Sequence, residues 1–239
     1  MDLTKKGQES VGDRFMDNLI IDYNETATFK GVTIPYPFLE EGLDYIKKNQ
    51  SKEVCIWSFD DETLKTMDLN FLKDLNFIEI FHFGVNLTKK SNIEGLYFLP
   101  NLKELRWVTK THFELNFSKL ISLEKLLISY HKNWKNFDKL TNLKELYISS
   151  VKTENLKFIS QLEKLELLRI INANIISLEG LEVCKNLKKL DLRRCFKLET
   201  VTSILMKMEK LNYVLLMSCK RTDVDLEKLK KKIEHVGYS

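Results

Sequence analysis

Histidine, cysteine and clustered carboxylates are the side chains that could ligate a metal, attack an electrophile or move a proton. In this chain they do not converge. The four histidines, His82, His112, His131 and His235, are scattered, and none has a second ligand at metal-binding spacing. His131 reads as a loop-corner residue, and His82 as an exposed residue just past a strand. The four cysteines, Cys55, Cys184, Cys195 and Cys219, include no Cys-x-x-Cys pair and read as reduced, buried thiols. Asp60, Asp61 and Glu62 form the densest acid cluster. Adjacent carboxylates of this kind suit a solvated turn or the positive end of a helix dipole better than a metal site. Glycine-rich phosphate cradles, the dinucleotide fingerprint, His-Glu-x-x-His and Gly-x-Ser-x-Gly are all absent. The sequence therefore assigns no catalytic, cofactor-binding or metal-binding residue, and the expected protein is not an enzyme.

What does recur is an apolar frame, Leu-x-x-Leu-x-Leu. It is carried by Leu102, Leu105 and Trp107, then by Leu123, Leu126 and Ile128, and then by Leu143, Leu146 and Ile148. Three further copies are Leu165, Leu168 and Ile170; Leu187, Leu190 and Leu192; and Leu211, Val214 and Leu216. Upstream, Leu75, Ile78 and Ile80 fit the frame, and an irregular first copy has Ser51, Val54 and Ile56. From Ser51 onward the leading positions are separated by 24, 27, 21, 20, 22, 22 and 24 residues. Positions 4 and 6 of each copy alternate with the period of a strand whose apolar side faces inward. Apolar residues at every third position before the strand suit a tight 3₁₀ turn, as in Phe137, Leu140 and Leu143. A single coil of this kind cannot bury its apolar side alone, but stacked coils can.

With this spacing the chain resembles the leucine-rich-repeat family, in the bacterial form with repeats of about 22 residues. The resemblance covers roughly 170 of the 239 residues. It implies an α/β fold: a right-handed solenoid with about eight parallel strands on the concave face and 3₁₀ or short helical turns on the convex face, capped at both ends. The family usually places Asn or Cys at position 9. Cys195 and Cys219 hold it here, whereas Lys110, His131, Val151 and Ala173 stand there in earlier copies.

The expected organisation is a flexible segment over 1–15, an N-terminal cap over 16–50, the solenoid over 51–222 and a capping helix over 223–239. Within the first cap, Pro37 to Lys48 reads as a helix that Gly42 weakens. Within the last, Leu226, Leu229, Ile233 and Val236 recur at helical spacing. No stretch approaches the length of a membrane span, and the polar first residues read as no secretory signal. A cytoplasmic location is expected.

Side chains at positions 3, 5 and 7 should leave the core for the concave face. The partner-binding candidates are Trp57, Phe81, Arg106, Tyr147, Arg169, Asp191, Arg193 and Tyr213, because aromatic and arginine side chains dominate interface energetics. For Trp57, Phe77 and Phe81 the alternative is packing against the N-terminal cap. Net charge is +4, with 13 acidic and 8 basic residues over 1–65, so the two ends differ in potential. Acids and bases are mixed at the concave positions, unlike a phosphate-tracking groove. The expected partner is another protein, with no small-molecule substrate and no membrane. The specific form is an immunity protein or inhibitor of a bacterial toxin or enzyme. Alternatives are a host-directed effector, an assembly adaptor, or a nucleic-acid binder using the basic C-terminal half.

Overall fold

A computed structural model describes residues 29–58, 60, 62–219 and 222–239, together with the backbone alone of 13–16 and 19–22. The flexible segment expected over 1–15 lies outside the described residues as far as 12, and 13–16 form a strand.

Among the described residues, twelve strands form one sheet in chain order. β1 (Asp13–Met16) and β2 (Leu19–Asp22) pair antiparallel, and β2 is antiparallel to β3 (Val32–Pro35). From β3 onward every pairing is parallel, through β4 (Glu53–Trp57), β5 (Ile80–Gly84), β6 (Glu104–Trp107), β7 (Lys125–Ser129) and β8 (Glu145–Ser149). β9 (Leu167–Ile171), β10 (Lys189–Arg193), β11 (Tyr213–Met217) and β12 (His235–Tyr238) complete the series. Short 3₁₀ turns such as Phe117–Lys119, Phe137–Lys139 and Leu181–Val183 make the opposite, convex side. Among the described residues the parallel strands number ten rather than about eight. The extra two come from the expected caps.

Both additions follow from the same frame. Val32 and Ile34 of β3 are buried in register with Val54 and Ile56. At the other end, the capping helix expected over 223–239 is only the short helix Leu226–Lys230, started by the Asp225 carboxylate accepting from the Lys228 N–H at 2.9 Å. Ile233, Val236 and Tyr238 then repeat the apolar frame as a further coil. Apolar residues three and four apart serve a helix and this coil equally well, so spacing alone does not separate them.

The N-terminal helix is α1 (Leu39–Asn49), with Glu40 and Glu41 in its first turn and Lys47 and Lys48 in its last, matching the helix dipole. Gly42 is there for close approach. A Cβ at this position would sit 2.4 Å from Ile34 Cγ2, so only glycine lets α1 settle against β3.

Inside the stack, Leu105, Leu126, Leu146, Leu168, Leu190 and Val214 are all fully buried, one above another. A second column holds Leu99, Leu120, Leu140, Leu162, Cys184 and Met208. Cys184 is thus a core residue, and burial pushes its thiol up to about 12. Along the rim just before the strands runs a charge ladder: Lys52, Glu79, Lys103, Glu124, Lys144, Glu166 and Lys188. Glu79 bridges Lys52 at 2.7 Å and Lys103 at 2.6 Å, while Lys144 meets Glu124 and Lys188 meets Glu166.

The second copy corrects the expected phase. Phe81 pairs in register with Leu105, and Phe83 with Trp107. Phe81 is fully buried in the core and is not a partner-binding residue. The leading residue is therefore Ile78, not Leu75. Apolar residues at every third position make a shift of three invisible in the sequence. Because three is odd, that shift turns every strand side chain to the other face.

Position 9 also divides the stack. With the corrected phase Asn86 occupies it, buried and accepting from the Lys110 N–H at 3.0 Å. In the coils of β8 to β11 the residue before it has a left-handed backbone: Ser150, Asn172, Arg194 and Ser218 have φ between 55° and 58°. Each of these donates its N–H to the next strand's end, as Asn172 does to the Arg193 carbonyl at 2.9 Å. Val151, Ala173, Cys195 and Cys219 then turn inward and are buried. In the middle coils half-buried aromatics fill that corner instead, with Trp134 stacked on Phe137 at 5.2 Å and against Tyr130 at 5.5 Å.

Candidate interaction face

Strand register sets the concave face in rows. One row runs Cys55, His82, Arg106, Leu127, Tyr147, Arg169, Asp191 and Leu215, one residue per strand from β4 to β11. The row beside it includes Ser129, Ser149, Ile171, Arg193 and Met217. Adjacent strands lie about 4.8 Å apart, so neighbours in a row touch.

At the N-terminal end the chain covers its own face. Phe29 stacks on His82 with ring centres 4.9 Å apart, and the Lys30 N–H donates to the Glu53 carboxylate at 2.8 Å. His82 is therefore not an exposed residue past the strand. It lies within β5, half-buried, with Nε2 2.8 Å from Glu104. Trp57 lies flat across Gly84, where a Cβ would stand 2.0 Å from its ring, and the Arg106 guanidinium sits 5.4 Å from the same ring. Cys55 is buried beneath, its thiol pushed up to about 11 by burial.

From β6 onward one connected polar network crosses the face. Glu104 takes Lys125 at 3.1 Å in addition to His82. Burial works to raise the Glu104 pKa, but the hydrogen bond with His82 and the charge and hydrogen bond of Lys125 outweigh burial and hold it below the usual value. The Tyr147 ring lies between Lys125, at 5.9 Å, and Arg169, at 5.2 Å, and its hydroxyl donates to Glu145 at 3.1 Å. Burial, then the Glu145 charge, pushes that hydroxyl up to about 12, so it remains a donor.

Asp191 is only 5% exposed. It accepts from Arg169 Nε at 2.7 Å, from Arg193 Nε at 2.8 Å and from Arg193 Nη2 at 2.9 Å. Tyr213 is half-buried on β11, its ring 6.3 Å from His235.

The structure thus groups Arg106, Tyr147, Arg169, Asp191, Arg193 and Tyr213 on one face, with Trp57 at its covered end. Sequence reasoning missed His82 in this network. The sign that could have found it was Asn86, which marks position 9 only when Ile78 leads the copy.

Among the described residues, the remaining chemically versatile groups form two pairs at the loop corner. His112 and His131 stack at the loop corner, 5.3 Å apart. His131 is held below its usual pKa by burial, then by His112. Cys195 is pushed upward by its hydrogen bond with Cys219 and by burial. Among the described residues, no three His, Cys, Asp or Glu side chains stand close enough to hold a metal ion, and no helix is long and apolar enough to cross a membrane.

No family model matches the chain, and no curated protein matches it in sequence. Solved structures do match its fold. Internalin C2 of Listeria monocytogenes aligns with a TM-score of 0.59 at 16% identity, covering 84% of each chain. An internalin of the same organism, InlF, aligns at 0.54 and 13% identity, over 83% of this chain and 63% of that one. The TLR13–ssRNA13 complex aligns at 0.52 and 23% identity, over 74% of this chain and 26% of that one. With its stacked parallel strands and 3₁₀ turns, the chain has the leucine-rich-repeat solenoid fold.

Proposed function

We propose that this chain is a non-catalytic protein-binding module that docks a folded partner on the concave face of β6 to β11. The observation that supports this reading most is the fixed set of Arg106, Tyr147 and Arg169 in one row with Arg193 in the row beside it. Their guanidiniums and ring are held in place by Trp57, Glu145 and Asp191 rather than moving in solvent. Aromatic and arginine side chains carry most hot-spot energy, and holding them before docking reduces the entropy lost on association. Glu104, Glu145 and Asp191 interrupt the basic groups, which suits a mixed protein surface better than a continuous phosphate backbone.

The specific form of this reading is masking, in which the face covers the active surface of a toxin or an enzyme. A gene for such a protein beside this one would favour masking over an adaptor role. The direct test is to isolate the partner and measure its affinity for a folded variant carrying Tyr147→Ala and Arg169→Ala. The expected loss is about tenfold or more. Undiminished binding would move the interface to the convex side or the ends.

A further inference from the structure

The Arg169–Asp191–Arg193 cluster has an unusual balance of donors and acceptors. Asp191 is buried beneath two guanidiniums, and all three of its hydrogen bonds come from them. Arg169 uses only Nε on it, and Arg193 uses Nε and Nη2. Among the described residues no group accepts from Arg169 Nη1 or Nη2, or from Arg193 Nη1. The two arginine side chains are 38% and 34% exposed, so these donors face the open groove. One carboxylate against two guanidiniums leaves a net charge of +1. Its position is fixed, because the Arg169 guanidinium also lies against Tyr147. Ile171, Leu215 and Met217 occupy the neighbouring places in the same two rows. The surroundings on that side are therefore apolar, with exposed Lys189 on the other, and a charge meeting the cluster would be partly desolvated.

We propose that this cluster is the seat for an acidic side chain of the protein partner, a carboxylate flanked by apolar residues. The inference rests on the concave face being the docking surface. Planar guanidinium forks match a carboxylate with two parallel hydrogen bonds, which an ammonium group does not do. Asp191 acts as a positioning residue. It aims both forks and keeps them from repelling one another, and it does not itself touch the partner.

The test uses fluorescein-labelled octapeptides alternating glutamate, glutamine or lysine with leucine, and a labelled single-stranded oligouridine, in anisotropy titrations. One variant replaces the whole cluster, Arg169→Met with Asp191→Leu and Arg193→Met, so that no buried charge is left unpaired and folding is retained. A second, Arg193→Lys, keeps the charge but removes the fork. The glutamate peptide should bind the natural chain, weaken as salt rises, and lose about tenfold or more in affinity on both variants. Equal binding of the glutamine or lysine peptide, binding of oligouridine in place of the glutamate peptide, or undiminished binding by the cluster variant would each overturn the proposal. The isolated partner separates this inference from the one beneath it. Partner binding lost in Leu127→Arg but undiminished in the cluster variant overturns the acidic seat and leaves the concave interface standing. Undiminished binding in both overturns both.

Discussion

Phe81 and Trp57 show how one residue's role depends on which side of a strand it takes. Phe81 is fully buried, its ring 6.0 Å from that of Phe83. Phe81→Ala removes a large side chain from a stack that cannot collapse around the gap, and should cost about 3–5 kcal/mol of stability. Urea denaturation measures that loss. A partner's affinity, measured on the fraction that stays folded, should not change. A stable Phe81→Ala variant with weakened partner binding would return Phe81 to the surface. Trp57 lies over the backbone of Gly84 instead, with part of its ring in solvent.

At the scale of the coil, the turn after the strand separates early from late repeats. The left-handed residues of the later coils include Ser150 at φ 58°, a conformation that disfavours branched side chains. Ser150→Val should lose roughly 1–2 kcal/mol, because the second γ carbon of a β-branched side chain crowds this left-handed backbone beyond what serine's single Oγ does. Ser150→Gly should be tolerated, since glycine adopts this backbone readily. Thermal melts of the two variants check this, and equal stability would contradict the backbone assignment. The coil is also the scale at which the sequence was most legible. From Leu102 to Leu216 every frame residue named from spacing is buried, and positions 3, 5 and 7 fall on the concave face. That phase puts Arg106, Tyr147, Arg169, Arg193 and Tyr213 on the concave face, where the strand register has them. Legibility failed where apolar residues stand three apart without interruption, at Leu75, Ile78 and Phe81, and where Leu229, Ile233 and Val236 suit a helix as well as a coil. The burial of Asp191 was not legible either, because nothing local announces that an arginine on each of two neighbouring turns of the chain will close over it.

For the whole molecule, stability is shared between neighbours rather than held in one centre. Leu146 is fully buried in the middle of the stack, with Leu126 and Leu168 beside it in register. Leu146→Ala should cost about 2–5 kcal/mol. Hydrogen exchange should then show protection lost first in β8 and next in β7 and β9, with the terminal coils least affected. A uniform loss along the chain would mean that the stack unfolds as a single unit. The rim ladder bears on the same one-dimensional design. Its signs alternate strictly from Lys52 to Lys188, one charge per coil. A chain of similar coils risks an error that compact proteins do not face: a coil can be looped out and its neighbours closed over the gap. Alternation gives each coil a parity. Skipping one sets lysine against lysine, or glutamate against glutamate, at the spacing where the correct order sets opposite charges. Each exposed pair is worth at most about 1 kcal/mol, but an omission exchanges attraction for repulsion at the point of error, so the ladder counts the coils as odd and even.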